Sequence, residues 1–508
     1  MRTKNYIKII ISSTILQLVV AISGIILPRF FIKYYGSEIN GLIVSIKQII
    51  TYFSFVSLGL GAASSAALYE PLEKKDSTKI SSILSATRTF FNRTGYIFLV
   101  LVFLLTVIYP FAINAPLSKI NIALIVLILG GGGVLEYIII TKYRILLIAD
   151  QKNNIVSRIT TQGVILNTSI SIILIISNAP LILIQFVTVS IYLFRLLLTK
   201  KYVKKNYPNI DFNYKPDFSL IPNRKDAFIY QLPNMIMTYT PIMIVTFFLG
   251  LKMVSIYSVY NMIYFSLAMI VGVFSAGING IFGNIHAKKD VVLLKDSFNE
   301  FSFIYRVISF SLFLSALILT IPFLKIYIDS IDSADYLIKP LAYGFALFGL
   351  LRILRIPSVT VIEVAGHFKQ NKALNYLEIA IMIIGSLIFI KDYGIVGILF
   401  SSAFASLIRT IAYIVYTKKI IDLLKLKKEV MIFIANFALF FGLKIIIDEL
   451  LPINNVSSFM TWFLYAFLMF TIISLSFLTF NVILDYSVFR KLLSRINNIF
   501  SKKKHSNY

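Results

Sequence analysis

An all-α chain that crosses a membrane about fourteen times, in two similar halves followed by an extra helix pair, is what this sequence predicts, on three observations. The first is composition: 508 residues, 58% hydrophobic and 14% charged, with a mean hydropathy of +0.84, a balance that no soluble domain of this size keeps in solution. The second is pattern. Apolar runs are continuous over ~20 residues instead of alternating along ~10-residue segments, which selects helices over a barrel. The third is repetition: Gly36 to Asp76 recurs as Gly250 to Asp290, each copy ending on Lys-Lys-Asp (Lys74-Lys75-Asp76 and Lys288-Lys289-Asp290), and Thr199-Lys200-Lys201 recurs as Thr417-Lys418-Lys419. The offsets, 214 and 218, drift as a duplicated unit with small loop insertions would.

In order, the apolar runs place spans at 9–32, 41–68, 94–113, 120–141, 155–177, 180–198, 229–250, 256–284, 304–326, 341–364, 373–390, 395–416, 430–451 and 459–484. Arg2, Lys4 and Lys8 precede the first without a small-residue cleavage site, so it is expected to stay uncleaved. Six spans per half keep both copies in the same direction, a parallel repeat around a central cavity. The domains follow: a six-helix lobe over 1–199, a polar linker over 200–228, a second six-helix lobe over 229–420, and a helix pair with a basic tail over 421–508. Between spans two and three, Ile80, Ile83, Leu84 and Phe91 alternate with Arg88 and Arg93 as in an interfacial helix.

The formal charge of +26 lies in clusters between spans, and 36 of the 49 Lys and Arg fall on the side that holds both termini. That side is expected to be cytoplasmic, in the cell membrane, with Asn178 and Asn454 outside. Clusters of this kind suit anionic lipid rather than nucleic acid. No Cys is present, His286, His367 and His505 lie in or beside loops, and no phosphate-cradling loop precedes a helix, so neither an enzyme nor a cofactor nor a metal site is expected. Gly130-Gly131-Gly132-Gly133 lies mid-span, where glycines admit a bend or a neighbouring helix.

Ionisable residues inside spans are costly and face a cavity or a partner. These are Arg29 and Lys47 near the outer surface, Glu136 in span four, Arg195 in span six, Arg352, Arg355 and Glu363 in span ten, and Arg409 in span twelve. Arg352 and Arg355, three residues apart, share a helix face about 5–6 Å apart, and two such guanidinium groups repel unless an anion lies between them. Two readings follow. Either Glu136 or Glu363 pairs with them and locks helices, or a cavity between the lobes binds an anion there. Glu136 and Glu363 are also the candidates for H+ or Na+ coupling. Asn234, Tyr257 and Asn261 belong to a polar group in spans seven and eight, near Pro233 and Pro241; aromatic faces beside amides suit sugar rings and equally suit helix packing.

The run Leu27-Pro28-Arg29-Phe30-Phe31-Ile32-Lys33-Tyr34-Tyr35-Gly36-Ser37-Glu38-Ile39-Asn40-Gly41-Leu42, with Ser57-Leu58-Gly59-Leu60-Gly61 and Ala149-Asp150-Gln151-Lys152, resembles the Wzx-type polysaccharide flippases of the multidrug/oligosaccharidyl-lipid/polysaccharide exporter superfamily. The resemblance implies alternating access and transfer of an undecaprenyl-pyrophosphate-linked oligosaccharide to the outer leaflet for surface polysaccharide biosynthesis, with polymerase and glycosyltransferases as partners. It also implies basic cavity residues for the pyrophosphate, a role for which Arg29 and Lys47 are placed. Fourteen spans also occur among lipid II flippases of the superfamily. A multidrug or cation antiporter is the other alternative, and the basic excess inside the spans weighs against it.

Overall fold

The computed structural model describes residues 2–221, 224–275, 278–328, 335–367, 370–450, 456 and 458–505; Asn454 lies outside them. Among the described residues there is no strand.

α1 (Arg2–Tyr52) runs through the first two expected spans. At 1.5 Å per residue a straight helix of that length would reach about 75 Å, against about 30 Å of hydrocarbon. It is two helices, parted at Gly36, whose φ of 84° and ψ of 168° are non-helical and are adopted cheaply only by glycine. A 3-10 turn (Phe53–Ser57) and a left-handed Gly59 lead into α2 (Leu60–Lys74), so the second expected span is itself broken. α3 (Ser77–Ala112) follows, then α4 (Lys119–Leu135), a π-helical turn (Glu136–Ile140), α5 (Thr141–Ala149), α6 (Asn153–Ile176) and α7 (Leu181–Asn206).

The second half continues with α8 (Arg224–Leu249), α9 (Leu251–Ser275), α10 (Ile278–Ala287), α11 (Val291–Tyr327), α12 (Lys339–Leu354), α13 (Ile356–Val364) and α14 (Lys372–Ile420). α14 is again two helices, parted at Gly394 with φ 53° and ψ −134°. A Cβ on Gly385 would stand 2.9 Å from the Ser401 hydroxyl, and one on Gly397 2.7 Å from the Phe389 carbonyl oxygen, so the legs run antiparallel in contact. α15 (Leu426–Leu450), α16 (Phe459–Leu484) and α17 (Tyr486–His505) close the chain. The buried amides of Asn436 and Asn481 exchange hydrogen bonds of 3.2 and 2.8 Å between α15 and α16. Among the described residues twelve stretches are long and apolar enough to cross a membrane, and the two longest, Lys8–Ser57 and Lys372–Ile420, each contain one of these breaks. Counted as two passes each, they bring the total to the expected fourteen.

The repeat is visible in local geometry. Gly36 and Gly250 have φ of 84° and 83°, and Lys75 and Lys289 have φ of 54° and 56°. In each Lys-Lys-Asp the second lysine therefore turns left-handed. The aspartate then caps the next helix: Asp76 accepts from the Lys79 amide at 3.0 Å and Asp290 from the Leu293 amide at 2.9 Å, the kind of contact worth about 1 kcal/mol. The identical tripeptides are a helix stop followed by a helix start.

The described residues form two compact units, one reaching Val259 and the other starting at Tyr260. One sequence expectation changes within the first. The stretch read as an interfacial helix is the first half of α3, continuous with its span, with Ile80, Ile83 and Leu84 buried. It is covered by the linker. Ser81 accepts from the Asp211 amide at 3.0 Å, Ser82 donates to the Lys215 carbonyl at 3.0 Å, and Phe212 and Phe218 pack edge-on to Tyr143 and Phe90. Tyr207 donates to Asp150 at 2.5 Å, and burial together with that carboxylate holds its phenol above the usual range.

Because the chain has no cysteine, single Cys substitutions report sidedness without a background. Lys75→Cys, Lys289→Cys and Lys419→Cys should all be shielded from a membrane-impermeant maleimide in intact cells, and Asn178→Cys should react. A labelled Lys289→Cys would break the parallel repeat.

Candidate functional site

Among the described residues two polar clusters, one in each unit, grow from an irregularity in a helix. In the second unit α12 stops at Leu354, Arg355 forms the joint, and Pro357 sits in the first turn of α13, where a missing N–H costs nothing. The Arg355 guanidinium bonds the Glu378 carboxylate at 2.7 Å. The Gly394 hairpin brings Arg409 to the other oxygen of the same carboxylate. Ser406 donates to Glu378 at 3.0 Å, Arg409 donates to the Tyr413 hydroxyl at 2.9 Å, and Tyr413 donates to Asn375 at 2.5 Å. Glu378 is 1% exposed and Arg355 5%. One carboxylate thus stands between two guanidinium groups, leaving an excess positive charge in a dry setting.

This arrangement corrects the sequence reading of the arginines. Arg355 and Arg409 meet Glu378, a residue outside the candidate set, rather than Glu136 or Glu363. Arg352 does not join them: it lies half-buried with its guanidinium 5.4 Å from the Phe348 ring centroid. The helix break at Arg355 sends the two side chains to different neighbours. Glu378 was overlooked because it lies only six residues into span eleven and reads as a boundary residue. Asn375, Glu378 and Met382, on one helix face opposite an arginine of the next span, carried the signal.

In the first unit the π-helical turn begins at Glu136, and such turns often mark functional positions. Glu136 accepts a hydrogen bond from Tyr192 and pairs with Arg144 at 3.4 Å. The Arg195 guanidinium lies 5.2 Å from the Tyr192 ring centroid. Gly163 is required here, since a Cβ would collide with the Arg195 side chain crossing α6. Glu136, Tyr192 and Arg195 border two cavities, of about 470 Å³ towards Gly24, Pro28 and Asn167, and about 290 Å³ towards Ser13, Gln17 and Arg144. The Glu136 side chain keeps 35% of its exposure. Arg195 and Tyr413 are 218 residues apart, the offset of Thr199 and Thr417, so the clusters use corresponding helices with different side chains. In the glycine run, Gly130 and Gly133 receive Val102 and Phe98 of α3, a packing role.

The remaining candidates are dispersed. Arg29 follows Pro28 and is half-buried, Lys47 is exposed on the second leg of α1, Asn234 and Asn261 are exposed on α8 and α9, and Glu363 is half-exposed near the end of α13. Tyr257 is only 3% exposed. Its neighbours serve packing: Tyr260 donates to the Tyr336 carbonyl at 2.7 Å, and Tyr264 pairs with Thr320 at 3.1 Å and stacks on Phe345. In this structure the tyrosine row of α9 therefore offers no open face for a sugar. No group of three or more potential metal ligands occurs among the described residues.

No family model matches the chain, and no curated protein matches it. The fold is known. An inward-facing multidrug resistance MATE family transporter of the MOP superfamily superposes with a TM-score of 0.66 at 12% identity, over 82% of this chain and 99% of that one. Lipid II flippase MurJ in an inward closed conformation gives 0.66 at 15% identity, over 95% and 100%. An outward-facing MATE family transporter gives 0.57 at 14%, over 84% and 96%. The chain thus has the MOP-type fold of these transporters and flippases.

Removing the shared carboxylate should be severe. Glu378→Gln leaves two buried guanidinium groups uncompensated and should cost about 3–5 kcal/mol, read as loss of folded protein in thermal unfolding of the purified chain. Adding Arg409→Gln should recover part of that loss, whereas Glu136→Gln alone should change stability little.

Proposed function

We propose that this protein is a flippase that moves an anionic lipid-linked oligosaccharide, of the undecaprenyl-pyrophosphate type, from the inner to the outer leaflet of the cytoplasmic membrane by alternating access, both termini lying inside. The observation that carries the reading is the charge inside the spans. Within the expected spans ten basic residues, among them Arg29, Lys47, Arg195, Arg352, Arg355 and Arg409, stand against five acidic ones, among them Glu136, Glu363 and Glu378, an interior suited to phosphate and unsuited to the cations of a drug antiporter. The fold comparison adds support for a lipid cargo: the likeness to lipid II flippase MurJ extends over 95% of the chain, against 82% and 84% for the MATE transporters. Lipid II itself is the second reading on that ground.

Arg355 and Arg409 hold Glu378; the phosphate contacts are proposed for Arg352, Lys47 and Arg29. Asn234 and Asn261, exposed on α8 and α9, are proposed to contact sugar. Glu136, bordering two cavities, is the preferred coupling carboxylate, with Glu363 second; transport unchanged in Glu136→Gln with Glu363→Gln would leave both structural.

The test is transport of the lipid-linked glycan in vesicles at matched protein abundance. Arg352→Gln and Lys47→Gln should each lower it about tenfold or more, as loss of a charge-assisted contact worth about 1.5–3 kcal/mol implies, while the protein still inserts. Arg355→Gln should instead lower the amount of folded protein. Near-normal transport in the Arg352 and Lys47 variants together would remove the anion reading.

A further inference from the structure

At the end of the second unit that carries the Lys-Lys-Asp turn, the starts of α11 and α15 and the first turns of α17 enclose a cavity of about 210 Å³, away from the spans discussed above. Lys295, Lys425, Lys428 and Lys491 line it, with Asp296 and Glu429. Every carboxylate around it already has a cation. Asp296 pairs with Lys491 at 2.7 Å, Glu429 with Arg306 at 3.2 Å, Asp485 with Lys428 at 2.7 Å, and Glu300 with Arg495 at 2.7 Å. Lys295 and Lys425 are the surplus: both face the cavity, and no ion pair within 4 Å is seen for either among the described residues. Lys425 also stands directly before α15, whose first-turn amides add partial positive charge. Two ammonium groups on one cavity attract a compact anion, and phosphate is the anion that lysine binds as a point charge.

Depth identifies the setting. α11 has 37 residues, about 55 Å of helix against about 30 Å of hydrocarbon. Its first turns, which carry Lys295 and Asn299, stand beyond the apolar run that begins near residue 304, at headgroup level. α17 crosses the same level with Arg490, Lys491 and Arg495, tied to α11 by the Lys491 and Arg495 pairs.

We infer that the cavity between α11, α15 and α17 is a phosphate-binding site in which Lys295 and Lys425 hold the anion, supplied by an anionic phospholipid headgroup or by free phosphate. The site is distinct from the transport residues and needs no assumption about cargo. Native mass spectrometry of the full chain in detergent tests it, with dioleoyl phosphatidylglycerol, dioleoyl phosphatidylcholine and inorganic phosphate as probes. The wild type should retain phosphatidylglycerol, inorganic phosphate or both about tenfold more tightly than Lys295→Gln/Lys425→Gln, and Lys295→Arg/Lys425→Arg should keep the binding. Retention of phosphatidylglycerol alone identifies the lipid as the source, and retention of phosphate identifies the soluble anion. Equal retention by wild type and the Gln pair overturns the site. So does an equal loss in the distant control Lys200→Gln/Lys201→Gln, a preference for phosphatidylcholine, or loss in the Arg pair.

Discussion

A bilayer offers no water to an open backbone amide or to a lone charge, and each irregularity in this chain sits where that cost is met. The helix breaks at Gly36, Gly250 and Gly394 fall at the ends of passes rather than within them. Within spans, among the described residues, the 3-10 turn and Gly59 before α2, the π-helical turn at Glu136 and the joint at Arg355 are irregular points, and the last two each have a charged side chain of their own to engage. Charges inside the membrane are likewise gathered: Glu378 holds two arginines, and Glu136 is shared by Tyr192 and Arg144. Architecture and polar chemistry are thus one problem here, since the distortions that let helices turn also deliver the ionisable side chains to their partners.

The two halves answer that problem differently. In the second unit the carboxylate is buried, doubly paired and surrounded by hydroxyls, the pattern of a lock. In the first it is partly exposed between two cavities and held by a tyrosine and one long arginine contact, a pattern that can exchange partners at low cost. The duplicated frame thus carries one rigid and one adjustable polar centre.

Much of this fold is legible in the sequence because hydrophobic length is a strong signal in membranes. The fourteen passes, the duplicated half and the Lys-Lys-Asp turn can all be read from runs and offsets. Sites are harder, because a single polar residue in a span has no periodicity. Glu378 lies near a span end, where charge is ordinary, and only the reversal at Gly394 makes it the partner of Arg409. Arg352 and Arg355 look like a pair on an ideal helix, and the joint at Arg355 separates them. The tyrosines of α9 present the same letters whether they line a cavity or fill a core. The linker, polar and rich in proline, gives no sign that Phe212 and Phe218 fasten it to α3 and α5.

The hairpin at Gly394 also bears on how the protein is made. Glu378 and Arg409 lie on opposite legs of one hairpin, so the chain emerging from the ribosome carries its carboxylate and its counter-ion within about thirty residues of each other. A lone charge costs at most about 2.5–3.5 kcal/mol at the translocon, the value for the middle of an inserting helix, and partitioning the two legs together offsets whatever part of it applies here. Arg355, synthesised earlier, has no such companion until α14 arrives. The order of synthesis leaves the tenth pass as the unfinished one, and a chain arrested before Lys372 would present an unpaired guanidinium to the membrane's quality-control proteases.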